Sequence, residues 1–253
     1  MHSDPTSLPL QGKTAVVTGG SSGIGAAVVQ LLAAEGARVV IGFNQGAERA
    51  EALRAALPGK DHLIVRLPLG DASEHAAVAS HLESLVGAVD MLVNSAGYTS
   101  RIPHTDLATL DSALFNEILL TNAGGTFSIT RALMPLLQKS GDATVVSVSS
   151  ISAFTGSGSN IAYCAAKAAL DTMTLSLARV FGPTVRFLCV SPASVDTGFV
   201  PGRTPEDVQK KSAATPLGRA VTPKDVALAV QACITHLRTA TGTRIIIDGG
   251  QHL

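Results

Sequence analysis

The chain has 253 residues, 46% hydrophobic and 15% charged, which is too apolar for disorder and enough to fill one sizeable α/β core. Nineteen basic residues balance nineteen acidic ones, so no overall field draws it to nucleic acid or to an anionic membrane, and neither is expected as a partner. No apolar run reaches the roughly 18 residues that span a bilayer.

Met1 to Gln11 holds two prolines and no charged-then-apolar pattern, so residues 1–12 read as a short extension rather than a signal peptide. Short Val/Ile runs then alternate with longer Ala/Leu stretches. Lys13 to Thr18 is a first strand, and Gly19 to Gly25 a glycine-rich turn. Ile24, Val28, Leu31 and Leu32 follow helical spacing up to a stop at Gly36. Arg38 to Phe43 is a second strand and Ala47 to Leu57 a helix ended by Pro58-Gly59. His62 to Leu67 is a third strand, and Ser73 to Val86 a helix with Ser73 as its expected cap. Asp90 to Asn94 is a fourth strand, Thr109 to Leu137 a long helical stretch, and Thr144 to Val148 a fifth strand. Ala162 to Val180 is another long helix and Val185 to Val190 a sixth strand. Asp196 to Thr215, rich in proline, glycine and charge, reads as a loop with short helices. A helix opens at Thr222-Pro223-x-Asp225, and Arg244 to Asp248 is a seventh strand. Strand and helix alternate throughout, which predicts a single α/β domain with a doubly wound, seven-stranded parallel sheet flanked by helices.

The first turn, Thr18-Gly-Gly-Ser-Ser-Gly-Ile-Gly25, stands between a strand and a helix. Small residues there let a backbone approach a pyrophosphate, and the helix N-terminus supplies unpaired N–H groups; the bland alternative is a turn that merely needs glycine. Gly19, Ser21, Ser22, Gly23, Ile24 and Gly25 are therefore candidate cofactor contacts. The second strand ends in Phe43-Asn44-Gln45, with no acid to hold a ribose 2′-hydroxyl or repel a 2′-phosphate. That favours NADP, with NAD still possible. Arg49 lies a turn into the next helix and is not securely placed on such a phosphate.

Tyr163 and Lys167 stand four apart on one helical face, where an ammonium favours the phenolate and should lower the tyrosine pKa. Ser150 follows the fifth strand, at the same sheet edge as the glycine turn. Its neighbours Ser147, Ser149 and Ser152 read as loop-capping serines. The seven histidines form no metal-binding spacing and read as surface or loop residues, with no metal expected. Three widely spaced cysteines, Cys164, Cys189 and Cys233, fit a reduced, cytoplasmic setting.

Together these residues resemble the short-chain dehydrogenase/reductase family in its form of about 250 residues, from about Lys13 to the C-terminus. The Thr18 to Gly25 turn is similar to the family's cofactor turn. Asp71, followed by Ala72, is similar to its adenine-contacting acid. Asn94-Ser-Ala96-Gly97 resembles its Asn-x-Ala-Gly segment beside the adenosine. Asn122, Ser150, Tyr163 and Lys167 resemble its catalytic asparagine, serine, tyrosine and lysine. Pro192, Val195 and Thr197 fall in the stretch that meets the nicotinamide carboxamide. The resemblance implies a Rossmann-type fold and hydride exchange between a nicotinamide cofactor and a small carbonyl or secondary alcohol. It further implies Tyr163 as general acid/base, Lys167 on the nicotinamide ribose as well as beside the tyrosine, Ser150 polarising the substrate oxygen, and Asn122 anchoring a relay water. A homodimer or homotetramer built on the two long helices is implied too. Ala193 stands where the family has glycine and Leu188 where it has asparagine, so the backbone near the nicotinamide and the fit of substrate are open. A non-catalytic NADP sensor, or an isomerase or epimerase on the same scaffold, are the competing functions.

Overall fold

The computed structural model describes residues 8–253; the expected extension over residues 1–12 lies mostly outside them. Seven parallel strands form one sheet: β1 (Thr14–Thr18), β2 (Arg38–Phe43), β3 (Leu63–Arg66), β4 (Met91–Asn94), β5 (Ala143–Val148), β6 (Val185–Pro192) and β7 (Thr243–Ile247). Their spatial order is β3-β2-β1-β4-β5-β6-β7, so the winding reverses between β1 and β4, where a crevice opens beyond the strand ends. Helices α1 (Gly23–Ala34), α2 (Ala47–Ala56), α3 (His75–Val86), α4 (Ser112–Leu119) and α5 (Thr126–Ser140) cross between the first strands. The short α6 (Ser152–Thr155), α7 (Ile161–Phe181), α8 (Pro205–Ala213) and α9 (Pro223–Thr235) follow. None of the described helices is long and apolar enough to cross a membrane.

Strand alternation divides the core in two. Ala15 and Val17 of β1 pack with Val28, Leu32 and Val230 on the α1 and α9 face. Val16, between them, points to the opposite face with Leu92, Leu133 and Leu137. The inner strands are thus buried on both sides, which is why these segments are nearly continuous Val/Ile/Leu runs, whereas the edge strands β3 and β7 are partly exposed.

Several local expectations are corrected. Ser73 does not cap α3: its hydroxyl and backbone N–H both donate to Asp71 Oδ1, and the helix begins two residues later. The short acid–hydroxyl turn competes with the cap. The long stretch from Thr109 is not one α-helix. Asp111 caps α4 by accepting from the Leu114 N–H at 2.8 Å, and a π turn over Leu120–Gly125 separates α4 from α5. Residues 196–215 contain α8, entered through a Thr204/Asp207 capping box.

Two of the histidines are core residues rather than surface ones. His75 is 1% exposed and its ring nitrogens meet Ser128 Oγ and the Pro68 carbonyl, both at 2.9 Å. His62 Nδ1 accepts from the Val39 N–H, which leaves Nε2 to donate to the Pro58 carbonyl. His62 bridges a loop to β2 and His75 a loop to α5, each with both polar atoms satisfied.

The sixth strand carries a buried cation. Arg186 Nη1 donates to the carbonyls of Cys233, Leu237 and Ala240 at 3.0–3.2 Å, and Nη2 to Thr144 Oγ1 and the Ile234 carbonyl. It therefore satisfies the free carbonyls at the C-terminus of α9, where helix polarity also favours a cation. Arg186→Met should lower the unfolding free energy by about 2 kcal/mol or more in urea titration, since charge-assisted buried bonds are lost. Arg66→Met, which removes an exposed pair with Glu74, should cost less than about 1 kcal/mol. Equal losses would contradict this assignment.

Candidate active site

The carboxyl ends of the strands face a cavity of about 660 Å³, a size suited to a cofactor and a small substrate. Gly19, Ser21, Ser22, Gly23, Ile24 and Gly25 form one wall. The turn folds this tightly because two of its residues lack a side chain. Gly19 has φ +63°, and a Cβ there would lie 2.8 Å from Ala96 Cα; a Cβ on Gly25 would lie 2.2 Å from the Gly19 carbonyl oxygen. No such contact is tolerable. Ser22 occupies the N-cap of α1 but its side chain caps nothing, so the helix presents its N-terminus to the cavity without a side-chain acceptor.

Asn44 and Gln45 line the far end beside Arg49, whose Nη2 reaches the Gln45 carbonyl at 3.5 Å. The placement of Arg49 was not apparent in sequence, because α2 starts immediately after Gly46 and turns this arginine back towards β2. Ala96 and Gly97 continue the wall after β4, and Pro192, Val195 and Thr197 also line it, Thr197 lying close against Gly23. The expected contacts Phe43, Asp71, Ala72 and Asn94 do not line the cavity. Phe43 packs against the α1 and α9 core. Asp71 is exposed and held by Ser73, and Gly70 with Leu69 occupies the cavity wall near it. Asn94 is buried within the sheet edge, where Nδ2 donates to Thr130 Oγ1 and Ser147 Oγ. Its nearest influence is through the strand ends it ties together. Ser147 is correspondingly a strand residue paired with Cys189, not a loop cap.

Ser150, Tyr163 and Lys167 converge on the same cavity. Helix α7 delivers the last two, and its start is fixed by Asn160, whose Oδ1 accepts from the Tyr163 N–H at 2.8 Å. Asn160 is fully buried and its Nδ2 donates to the Ser100 carbonyl and Thr99 Oγ1, so the register of α7 is tied to the segment after β4. Lys167 Nζ stands 5.5 Å from the Tyr163 ring centroid and donates to the Val148 carbonyl at 2.7 Å. Ser150 Oγ donates to Ser152 Oγ and accepts from the Ser152 N–H, both at 3.1 Å, which sets its hydroxyl on the α6 turn.

Asn122 does not line the cavity; it is 1% exposed, in the π turn. Its Nδ2 donates to the carbonyls of Tyr98 and Ile118, and its Oδ1 accepts from the Tyr98 N–H at 3.1 Å. The extra residue per turn leaves the Ile118 carbonyl free to accept this side-chain bond. Asn122 thereby clamps the segment after β4 against the long helix.

The acid–base pair is not polarised as expected from its spacing. Burial pushes the Tyr163 phenol up to about 12, although its hydrogen bond with Ser150 and the nearby Arg203 guanidinium both pull it down. Burial likewise pushes Lys167 down to about 8, against opposing pulls from Cys189 and Asp171. Desolvation of the charged form dominates both shifts. Of the two family departures, Ala193 lines the cavity without a positive φ and with its N–H donating to the Ile247 carbonyl, and Leu188 is fully buried in the core.

The family model described as enoyl-(acyl carrier protein) reductase matches residues 19–252. Over 247 residues the chain is 41% identical to a ketoacyl reductase assigned to the granaticin polyketide synthase of Streptomyces violaceoruber, covering 94% of this chain and 96% of that protein. It is 32% identical over 249 residues to the 3-oxoacyl-(acyl-carrier-protein) reductase FabG of Aquifex aeolicus, covering 96% and 98%. A solved short chain dehydrogenase from Burkholderia cenocepacia, in complex with NADP, is 30% identical with a TM-score of 0.87, over 97% of this chain and 100% of that one. The chain belongs to the short-chain dehydrogenase/reductase family and is an NAD(P)-dependent oxidoreductase.

Lys167 carries a pH test. Between about pH 8 and its ordinary value of 10.5 the unfolded chain holds this proton and the folded one does not, so stability from this group rises with pH across that window. Below pH 8 the buried ammonium is a standing cost. Lys167→Met should therefore unfold at a higher temperature than the parent at pH 7, and the gap should shrink by pH 9.5. Thermal denaturation followed by circular dichroism reads both; a gap independent of pH would show that Lys167 keeps its ordinary proton affinity.

Proposed function

We propose that the protein reduces a ketone, or oxidises the matching secondary alcohol, with NADP as cofactor and Tyr163 as general acid/base. The observation that carries this reading is the meeting of Ser150, Tyr163 and Lys167 in one cavity with the uncapped N-terminus of α1. The cavity fits a dinucleotide: the glycine turn offers the pyrophosphate backbone N–H groups, and the Asn44, Gln45 and Arg49 end offers donors to a 2′-phosphate. The NADP in the Burkholderia cenocepacia relative supports the same choice.

When bound, the nicotinamide would supply the hydride for the carbonyl carbon. The residues of the chain handle the oxygen. Tyr163 gives its phenolic proton to the carbonyl oxygen during reduction and recovers one from the alcohol during oxidation. A phenol held near 12 is kept protonated, which suits reduction. Ser150 donates a hydrogen bond to the same oxygen and orients the carbonyl. Lys167, anchored on Val148, holds the cofactor ribose and supplies positive charge beside the phenol. Asn122 acts at one remove, by fixing the backbone of Tyr98 and opening the helix at Ile118.

The π turn with α5, and α7, expose Leu120, Phe127, Leu175 and Val180, which supports a homodimer or homotetramer of the kind the family resemblance implies.

Tyr163→Phe should cut kcat for ketone reduction by at least about a thousandfold while NADPH affinity, read by fluorescence titration, moves less than threefold. Retained turnover would remove Tyr163 from the chemistry. Arg49→Ala should raise the Kd for NADPH about tenfold and leave that for NADH within twofold, the loss of one charge-assisted contact. Equal changes for both cofactors would deny Arg49 the 2′-phosphate.

A further inference from the structure

The wall of the cavity opposite the glycine turn carries charge that the reaction above does not use. Arg203 and Lys211, from residues 196–215, line the same cavity as Tyr163. Among the described residues neither forms a salt bridge. The neighbouring acid, Asp207, is already engaged: it accepts from Arg101 Nη1 at 3.1 Å and closes the capping box of α8 with Thr204. Arg101 is further committed to the Gly202 carbonyl at 2.7 Å. One acid thus faces three cations, and two of these point no hydrogen bond at a carboxylate.

The charges oppose one another and are partly desolvated. Burial lowers the pKa of Arg203, with Arg101 adding repulsion, and burial lowers that of Lys211, with Arg203 and Arg101 adding repulsion; Asp207 partly offsets both. Tyr163 is the other group that feels Arg203. A half-enclosed guanidinium without an anion is an unfavourable arrangement, tolerated where a ligand brings the counter-charge. The phosphate-directed groups lie elsewhere, at the glycine turn and at Arg49. Arg203 instead lines the cavity together with Tyr163 and with Phe199, whose ring lies 6.0 Å from that of Tyr163.

Resting on the oxidoreductase reading, we propose that Arg203, assisted by Lys211, binds a carboxylate of the substrate, so that the substrates are compact keto acids and hydroxy acids. The guanidinium fork matches a carboxylate in bidentate geometry, and Phe199 packs the intervening carbon frame. The carboxylate and the reacting carbon must share one cavity with the cofactor, because Arg203 and Tyr163 both line it. Charge in place of shape then sets the choice among ketones that Tyr163 treats alike.

The test compares 4-oxocyclohexanecarboxylate and 4-oxopentanoate with their ethyl esters in NADPH oxidation, and acetoacetyl-coenzyme A with acetoacetyl-N-acetylcysteamine. Wild type should prefer at least one acid to its ester by about tenfold or more in kcat/KM. Arg203→Met should cost that acid at least tenfold more than the ester, which is about 1.4 kcal/mol. Arg203→Lys should restore part of the preference, and the Kd for NADPH should stay within twofold in both variants. Absence of any acid preference overturns the proposal. So does a tenfold loss of NADPH affinity in Arg203→Met, which would give the charge to the cofactor. An Arg203-dependent preference for the coenzyme A thioester alone would overturn it too, since the anion would then ride on a long carrier arm. If no ketone is reduced, quenching of bound NADPH fluorescence by the two acids decides. Quenching lost in Arg203→Met keeps the carboxylate site and discards the proposed ketone reduction, whereas no quenching discards the site.

Discussion

Parallel strands can be joined only by crossovers that return the chain to the opposite end of the sheet, so all seven carboxyl ends here lie along one edge. Register makes that edge a line. Thr18 of β1 stands beside Asn94 of β4, Asn94 beside Ser147 of β5, and Ser147 beside Cys189 of β6. Hydrogen bonds stitch it further: Thr18 Oγ1 accepts from the N–H groups of Ser95 and Ala96, and Asn94 donates to Ser147. The glycine turn, the segment after β4 and the Ser150 turn all leave from this line. Their mutual distances are consequently fixed by the sheet rather than by the loops themselves, which is the rigidity that a site built from five separate segments requires.

The same edge explains why the most demanding residues are buried. Lys167 must lie under the strand ends to reach the Val148 carbonyl, and there it loses water without gaining a carboxylate within its reach. Fixing α7 is what makes this bearable. Asn160 caps the helix and simultaneously binds Ser100, so the lysine enters on an element that cannot rotate away from its one acceptor. The arrangement costs stability at neutral pH and keeps the phenol and the ammonium in place before any ligand arrives, a trade common to active sites.

Strand positions and order of elements were readable because parallel strands buried on both faces must be continuous Val/Ile/Leu runs, and because the glycine turn has few physical uses between a strand and a helix. The expected catalytic quartet was readable largely as a pattern: Tyr163 and Lys167 share a face by spacing alone, but nothing local joins Ser150 or Asn122 to them. What escaped was of two kinds. The π turn at Leu120–Gly125 shifts helical phase by a single residue, too little to show in apolar periodicity. Ser73 was misjudged because a local partner, Asp71, competes for it, and His62 and His75 because distant partners, the Val39 N–H for one and Ser128 Oγ for the other, come from tertiary placement. Arg49 and Arg203 share that limit. Their side chains matter through the cavity they enter, and no spacing rule announces that.

The wall that carries Arg203 is built differently from the wall that carries the glycine turn. The glycine side is backbone, set by glycines and the first turn of α1, and leaves little room for variation. The opposite side is two long connections fastened to each other: Arg101 from the segment after β4 donates to Gly202 and Asp207 at the entry to α8. Ile102 adds a backbone bond to Ser159, beside the Asn160 cap. A change in either connection is therefore felt across the Arg203 wall while Ser150, Tyr163 and Lys167 stay on their own strand end and helix. Loops joined to one another, on a scaffold that holds the chemistry separately, let selectivity change without touching proton transfer.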